Sequence, residues 1–402
     1  MNAAQPITLA TQRSTLRACC SVHVLHDGLV DMMYALLPVL AQALGLSLTQ
    51  VGMIRGANSL ANAALQIPAG LLAERVGPAL LLLLGGLLAG ASLLGLAYAD
   101  SFGPVLIATF LAGAGSAVQH PLSSTLLTTA FSKAKRPRAL GTYNMFGDIG
   151  KFSFIGVVLL AMAAGFSWRA PVMFFGIAAI GVSVATWMML SGFHSLAGSS
   201  PSKAKVNGVN GWGILNPRSF TALGIIASLD SATRTAFLTF IAFLMIEKQL
   251  PLVWAGAAVM ITLFGGMLGK FACGLLNERF GAVKTIGMTE VATALGIVAV
   301  ILLPGTLAFL ALPLVGVVLN GTSSVTYASV SELVDDTRHA RAYGLIYTIG
   351  SMCGVISPLV FGVIADRFGL TGAFITMSIL VCVTLPLLPF LGLASKPMKP
   401  AN

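Results

Sequence analysis

Gly70-Leu-Leu-Ala-Glu-Arg-Val-Gly77 returns about two hundred residues later as Gly274-Leu-Leu-Asn-Glu-Arg-Phe-Gly281. Each octapeptide closes a long apolar stretch, so each marks a short turn at a helix end. Other echoes share the spacing. Asp27 and Asp31 fall opposite Asp230 and Arg234, and Gly141 and Gly147 fall opposite Gly344 and Gly350, all offset by about 203 residues. Several matches at nearly one offset describe two related halves.

Composition says what surrounds those halves. Of 402 residues, 56% are hydrophobic and 9% are charged, with mean hydropathy +0.91. A soluble domain carries roughly a quarter charged residues, so most of this surface must face something apolar. Stretches long enough to cross a bilayer, roughly 20 residues each, lie near 18–43, 52–73, 79–98, 103–131, 139–164 and 169–192. Six more fall near 219–246, 252–276, 283–303, 306–331, 341–365 and 370–393. The reading is an all-α membrane protein of twelve spans in two bundles, residues 1–193 and 218–402. A polar stretch, 194–217, rich in Ser, Gly, Asn and Lys, reads as a cytoplasmic linker between them.

Net charge of +10 could suggest nucleic acid, but its placement argues otherwise. Four of the 23 Lys and Arg lie inside spans, and Arg169, Lys248 and Arg367 fall in loops of one face. The other sixteen, from Arg13 to Lys399, fall on the face of the two termini. Lys and Arg resist translocation, so both termini are expected in the cytoplasm of a bacterial inner membrane. The positive charge is then a topology signal, and no nucleic-acid partner is expected. The five cysteines (Cys19, Cys20, Cys273, Cys353 and Cys382) form neither a disulfide framework nor a metal spacing. His23-x-x-His26-Asp27 is only partly co-facial, so no metal is expected. No P-loop, HExxH or Gly-x-Ser-x-Gly element occurs, which removes the usual marks of ATP-driven transport and of hydrolytic catalysis.

The paired Gly-x-x-x-Glu-Arg-x-Gly turns, twelve spans and central linker resemble the major facilitator superfamily of transporters along the whole chain. Within it the first half is similar to the fosmidomycin-resistance group of efflux proteins. The stretches carrying that likeness are His23–Asp27, Leu48–Ile54, Ser101–Ile107 and Gly113–Ser124. The resemblance implies a central cavity lined by spans one, four, seven and ten. It also implies that Gly70, Glu74, Arg75 and Gly77, with Gly274, Glu278, Arg279 and Gly281, act as gating loops that pair across the bundles. One departure stands out. Efflux members carry a Pro in the fifth span, where this chain has Gly147-Asp-Ile-Gly-Lys151 and no Pro.

Charges inside spans carry the chemistry. An ionised side chain at mid-bilayer costs about 3 kcal/mol on insertion scales, so such residues seek a partner or water. His23, Asp27 and Asp31 recur every four residues and share one face of the first span. They read as a proton-coupling strip, or else as a polar clamp with Arg55 on the second span. Asp148 and Lys151, three apart, are expected to neutralise each other. Lys270 and Glu290 are expected to do the same, leaving Arg55 against Asp27 and Asp31. Asp230 and Arg234 read either as an internal ion pair or as an anchor for an anionic solute, since a guanidinium offers parallel donors. His26, His120, Gln119, Asn320 and Tyr327 are the other expected solute-binding residues.

The expected activity is secondary transport by alternating access, with H+-coupled export of a small amphipathic or anionic compound. Import of a small organic anion is the rival, and a non-transporting membrane sensor is the reading from another class. The partners are a small solute, protons and lipid. No cofactor is expected, no enzyme activity, and a monomer suffices.

Overall fold

The computed structural model describes residues 8–132, 135–191, 213–330, 332–335 and 339–392. Most of the stretch read as a linker lies outside the described residues. Helices α1 (Leu9–Leu44), α2 (Leu48–Val76) and α3 (Pro78–Ala97) open the chain. They are followed by α4 (Phe102–Ser116), α5 (Gln119–Ala130), α6 (Arg136–Ala163) and α7 (Arg169–Ser191). After the undescribed stretch come α8 (Pro217–Glu247), α9 (Leu252–Phe280), α10 (Ala282–Leu302), α11 (Gly305–Val330) and α12 (His339–Cys382). Ten described segments are long and apolar enough to cross a membrane.

Those elements match the expected spans once two breaks are counted. The fourth span is α4 and α5, interrupted at Ala117-Val118. The eleventh and twelfth spans run together as α12, which turns at Gly369 (φ 75°). Helix α2 is long enough to span, but it is not among the ten that also meet the apolar criterion. The first helix begins at Leu9, well before the apolar stretch that announced it. A helix continues through polar residues once its core turns are fixed, because propagation is easier than nucleation.

The repeated octapeptides end their helices in one way. Helix α2 stops at Gly77 (φ 88°) and α9 at Gly281 (φ 80°), a backbone region that residues with a Cβ rarely adopt. Both glycines are required by the turn itself.

The described helices form two compact units. The first holds α1 up to Leu36, α2 from Ala57, and α3 to α7. There α3 packs on α4 and α7, over a core that includes Cys19, Leu82, Leu126, Leu127 and Leu190. The second holds the stretch Leu37–Gly56 and everything from α8 onward. In it α9 packs on α11 and α8 on α12, around Leu223, Ile226, Cys273, Ile286 and Val325. Large side chains such as Ile67, Leu160, Phe271 and Leu314 lie outside these cores and are largely exposed, as lipid-facing residues are. Buried hydroxyls return to their own helix. Ser183, Thr262 and Thr326 each donate to the carbonyl four residues back, which satisfies them without a second helix.

Candidate functional site: a charged cluster in the first unit

Close approach of α1 and α6 builds the site. A Cβ at Gly150 would collide with the backbone of Val24, and one at Gly147 would lie 2.6 Å from the His23 ring and 2.9 Å from Asp27 Oδ2. The absence of side chains at these two positions lets α6 press against α1. Lys151, one turn beyond Gly147, thereby reaches Asp27. The fifth span has no Pro but carries the small residues that permit contact.

Pro121 sets the third wall. It has no N–H to offer the carbonyl of Ala117, and the helix breaks at that point. Gln119 and His120 fall in the first turn of α5.

Asp27 is the hub. Its Oδ2 lies 3.3 Å from His23 Nε2 and 3.3 Å from Lys151 Nζ. Its Oδ1 lies 2.9 Å from His26 Nδ1 and 3.7 Å from His120 Nε2. Lys151 Nζ is also 3.4 Å from Asp148 and 4.0 Å from Asp31. The ammonium therefore serves three carboxylates. Asp27 and Asp31 retain 12% and 13% exposure, so neither is sealed from its surroundings.

The hydrogen bonds fix a proton count. His23 Nδ1 is 2.8 Å from the carbonyl of Tyr143, which can only accept. Its Nε2 faces a carboxylate, which when ionised can also only accept. A neutral imidazole has one N–H. Satisfying both neighbours takes one further proton, carried either by His23 or by Asp27. The His23 ring also stacks on Tyr143, with centroids 3.9 Å apart. The Tyr143 hydroxyl accepts from Gln119 Nε2 at 2.9 Å and stands 3.4 Å from His120 Nδ1.

His23, Asp27 and His120 also present ligand atoms within 4.8 Å of one another, a spacing that could hold a metal ion. The Lys151 ammonium stands against the same carboxylate, 3.3 Å away. It fills the cation's place, and we assign no metal there.

Several expectations are corrected. Asp27 pairs with Lys151, a partner not expected for it; Arg55 is buried on α2. Asp148 and Lys151 do meet, but as part of a larger cluster. Gln119 is turned into the bundle and 2% exposed, with Tyr143 as its partner. Tyr143 was missed. It shares an i, i+4 stripe with Gly147 and Lys151, a signal present in the sequence.

In the second unit, Arg234 Nη1 donates to Asp230 Oδ2 at 3.4 Å along α8. Tyr327 lies close enough to feel both charges of that pair, so the seventh and tenth spans do bring these three together. Asn320 instead donates to its own helix at Gly316 and packs against α9 at Gly266. The expected pair of Lys270 and Glu290 does not form. Glu290 is 1% exposed with neither carboxyl oxygen hydrogen-bonded, whereas Lys270 sits at an exposed position. Of the turn residues, Arg279 lies over the Phe280 ring at 5.3 Å; the Glu74 side chain is outside the described residues.

The profile of the Major Facilitator Superfamily matches residues 19–317 and 223–402. The chain belongs to that superfamily. It is a multi-pass membrane transporter. It is 29% identical over 370 residues to the uncharacterized MFS-type transporter YfnC of Bacillus subtilis, covering 89% of this chain and 88% of that one. It is 26% identical over 407 residues to the fosmidomycin resistance protein of Escherichia coli, covering 97% and 94%. Among solved structures, a bacterial homolog of the human lysosomal transporter Spinster, inward-facing and occupied, superposes with TM-score 0.81. That match has 15% identity over 98% of this chain and 100% of the other, and it speaks for the fold.

Proposed function

We propose that this major facilitator exports a small amphipathic or anionic compound in exchange for protons, by alternating access. The observation that carries the reading is His23 held between the Tyr143 carbonyl and the Asp27 carboxylate, 2.8 and 3.3 Å away. One imidazole there stands between two acceptors, and a shared proton would satisfy both. Asp27, Asp31 and His23 form the coupling site, and Lys151 with Asp148 sets its charge. An arriving proton neutralises a carboxylate and frees Lys151 from it. A solute whose hydrogen-bond donors need the carboxylates ionised competes with that proton, so the two occupy the cluster in turn. Likeness to a protein named for fosmidomycin resistance favours outward movement of solute.

The same reading places two six-helix halves, 1–193 and 218–402, in a bacterial inner membrane with both termini in the cytoplasm. The chain acts as a monomer, with Glu74-Arg75 and Glu278-Arg279 as gate residues. Everted vesicles test the coupling, using compounds drawn from a toxicity screen in a strain stripped of its own efflux pumps. Solute should dissipate a pre-formed pH gradient, and Asp27→Asn or Asp31→Asn should abolish this while the protein remains in the membrane. Solute movement that leaves the gradient untouched removes the proton from the mechanism.

Import of an organic anion is the second reading, favoured by Arg234 with Asp230 and Tyr327 beside it. It requires uptake in intact cells that fails in Arg234→Lys, because an ammonium cannot reproduce the guanidinium fork.

A further inference from the structure

Two buried polar atoms of the first unit have no hydrogen-bond partner and line one cavity. They are His26 Nε2 and Gln119 Oε1, on residues 7% and 2% exposed. The cavity, about 30 Å³, is bounded by α1, α3, α4, α5 and α7, and Ser116 and Ser183 add hydroxyls to its wall. Ser183 donates to its own helix and keeps its lone pairs for an incoming donor. A second cavity, about 10 Å³, shares Leu29, Ala89 and Ser116 with the first. It continues past Asn58 and Thr109 toward Leu96, next to the turn between α3 and α4. A buried water needs roughly 10–15 Å³ and two to four polar partners. Both conditions are met at His26, Gln119, Ser116 and Ser183.

We infer that a short file of buried waters inside the first unit delivers protons to Asp27 through the His26 imidazole. This rests on the proton-coupled reading and names the route that serves it. His26 suits a relay because its two nitrogens differ: Nδ1 faces Asp27 Oδ1 at 2.9 Å, while Nε2 is buried without a hydrogen-bond partner on a side chain that lines the cavity. A hydronium at the end of the file gives its proton to Nε2 and becomes water. The Nδ1 proton passes to the Asp27 carboxylate, leaving His26 as the other neutral tautomer. The ring resets by tautomer exchange after Asp27 has released its proton.

The titratable groups around the relay are His23 and Asp27 on α1, His120 on α5, and Tyr143 and Lys151 on α6. Helices α3 and α7 bring only Leu82, Gly86, Ala89 and Ser183 to the cavity. Among the described residues that line the cavity, His26 is the one ionisable side chain.

The full chain with ¹⁵N-labelled histidine, in phospholipid vesicles, tests both parts, with the proton itself as probe. Magnetisation transfer from water should reach His26 Nε2, assigned by its loss in His26→Gln. Filling the cavity with Ser116→Leu, or more gently with Ser183→Val, should remove that transfer. After a pH jump on the face opposite the termini, protonation of Asp27 is followed by its carboxyl infrared band. It should slow about a hundredfold in His26→Gln and in the filled variants. A dry His26 in the unmodified protein overturns the water file. A hydrated His26 with an unchanged Asp27 rate in His26→Gln overturns the relay. Failure of the transport reading looks different: Asp27 titrates normally through His26, and solute moves no protons.

Discussion

Lys151 Nζ lies 3.3 Å from Asp27 on the neighbouring helix, as near as it lies to Asp148 on its own helix at 3.4 Å. The pair is therefore tertiary rather than a local i, i+3 neutralisation. Removing the ammonium in Lys151→Met leaves buried carboxylates facing one another, which costs about 3–5 kcal/mol when a buried ion loses its partner. The melting temperature in detergent should fall accordingly. Adding Asp27→Asn to Lys151→Met should restore part of the loss, with a coupling of about 1–3 kcal/mol in the double-mutant cycle. Additive effects would show that the two residues do not interact.

Gly150 and Gly141 lie on the same helix, yet their substitution should differ. A Cβ at Gly150 meets the Val24 backbone, which cannot yield, whereas nothing lies within 4 Å of a Cβ at Gly141. Gly150→Ala should lose about 1–3 kcal/mol through overpacking and weaken transport by pushing Lys151 from Asp27. Gly141→Ala should be neutral or gain up to about 1 kcal/mol from helix propensity. Thermal denaturation of the two variants side by side decides it.

Asp230 is 5% exposed and holds Arg234 at 3.4 Å. Arg234→Gln strands a buried acid and should destabilise by about 3–5 kcal/mol. Asp230→Asn with Arg234→Gln removes both charges and should be milder than Arg234→Gln alone. If the pair exists to receive an anion, the double variant folds normally and loses solute binding, measured by ligand-induced shift in melting temperature. Retained binding would make the pair purely structural.

Glu290 presents the opposite case, a buried acid with neither oxygen hydrogen-bonded. Replacing such a group by an apolar side chain of similar volume removes an unsatisfied polar group worth about 1–3 kcal/mol. Glu290→Met should raise the melting temperature. A lower one would mean that the Glu290 carboxyl makes a favourable contact that Met does not replace.

Much of the fold was legible because crossing a bilayer leaves a coarse mark, about twenty apolar residues at a time. The duplicated turns were legible because Gly77 and Gly281 are fixed by backbone geometry. The site was legible only along each helix. Spacing put His23, Asp27 and Asp31 on one face of α1, and Asp230 beside Arg234 on α8, as the structure has them. Spacing could not say which face of α6 meets α1, so Lys151 was matched with Asp148, which it does meet, and its contact with Asp27 was not foreseen. The Lys270–Glu290 assignment failed for the same reason. The two positions share a depth, but one side chain points outward and the other into a packed interior. The Tyr143 side chain could have been found from its stripe with Gly147 and Lys151, but its carbonyl contact with His23 leaves no trace in residue type.

The tethered ammonium at Asp27 has an implication for ion preference. A sodium or magnesium ion drifting into the cluster would have to evict a charge that is covalently part of the chain and always present at high local concentration. Swapping the bathing salt, dialysing the sample or adding a chelator leaves that resident untouched. The electrical balance of the site is thus inherited with the polypeptide rather than drawn from the medium.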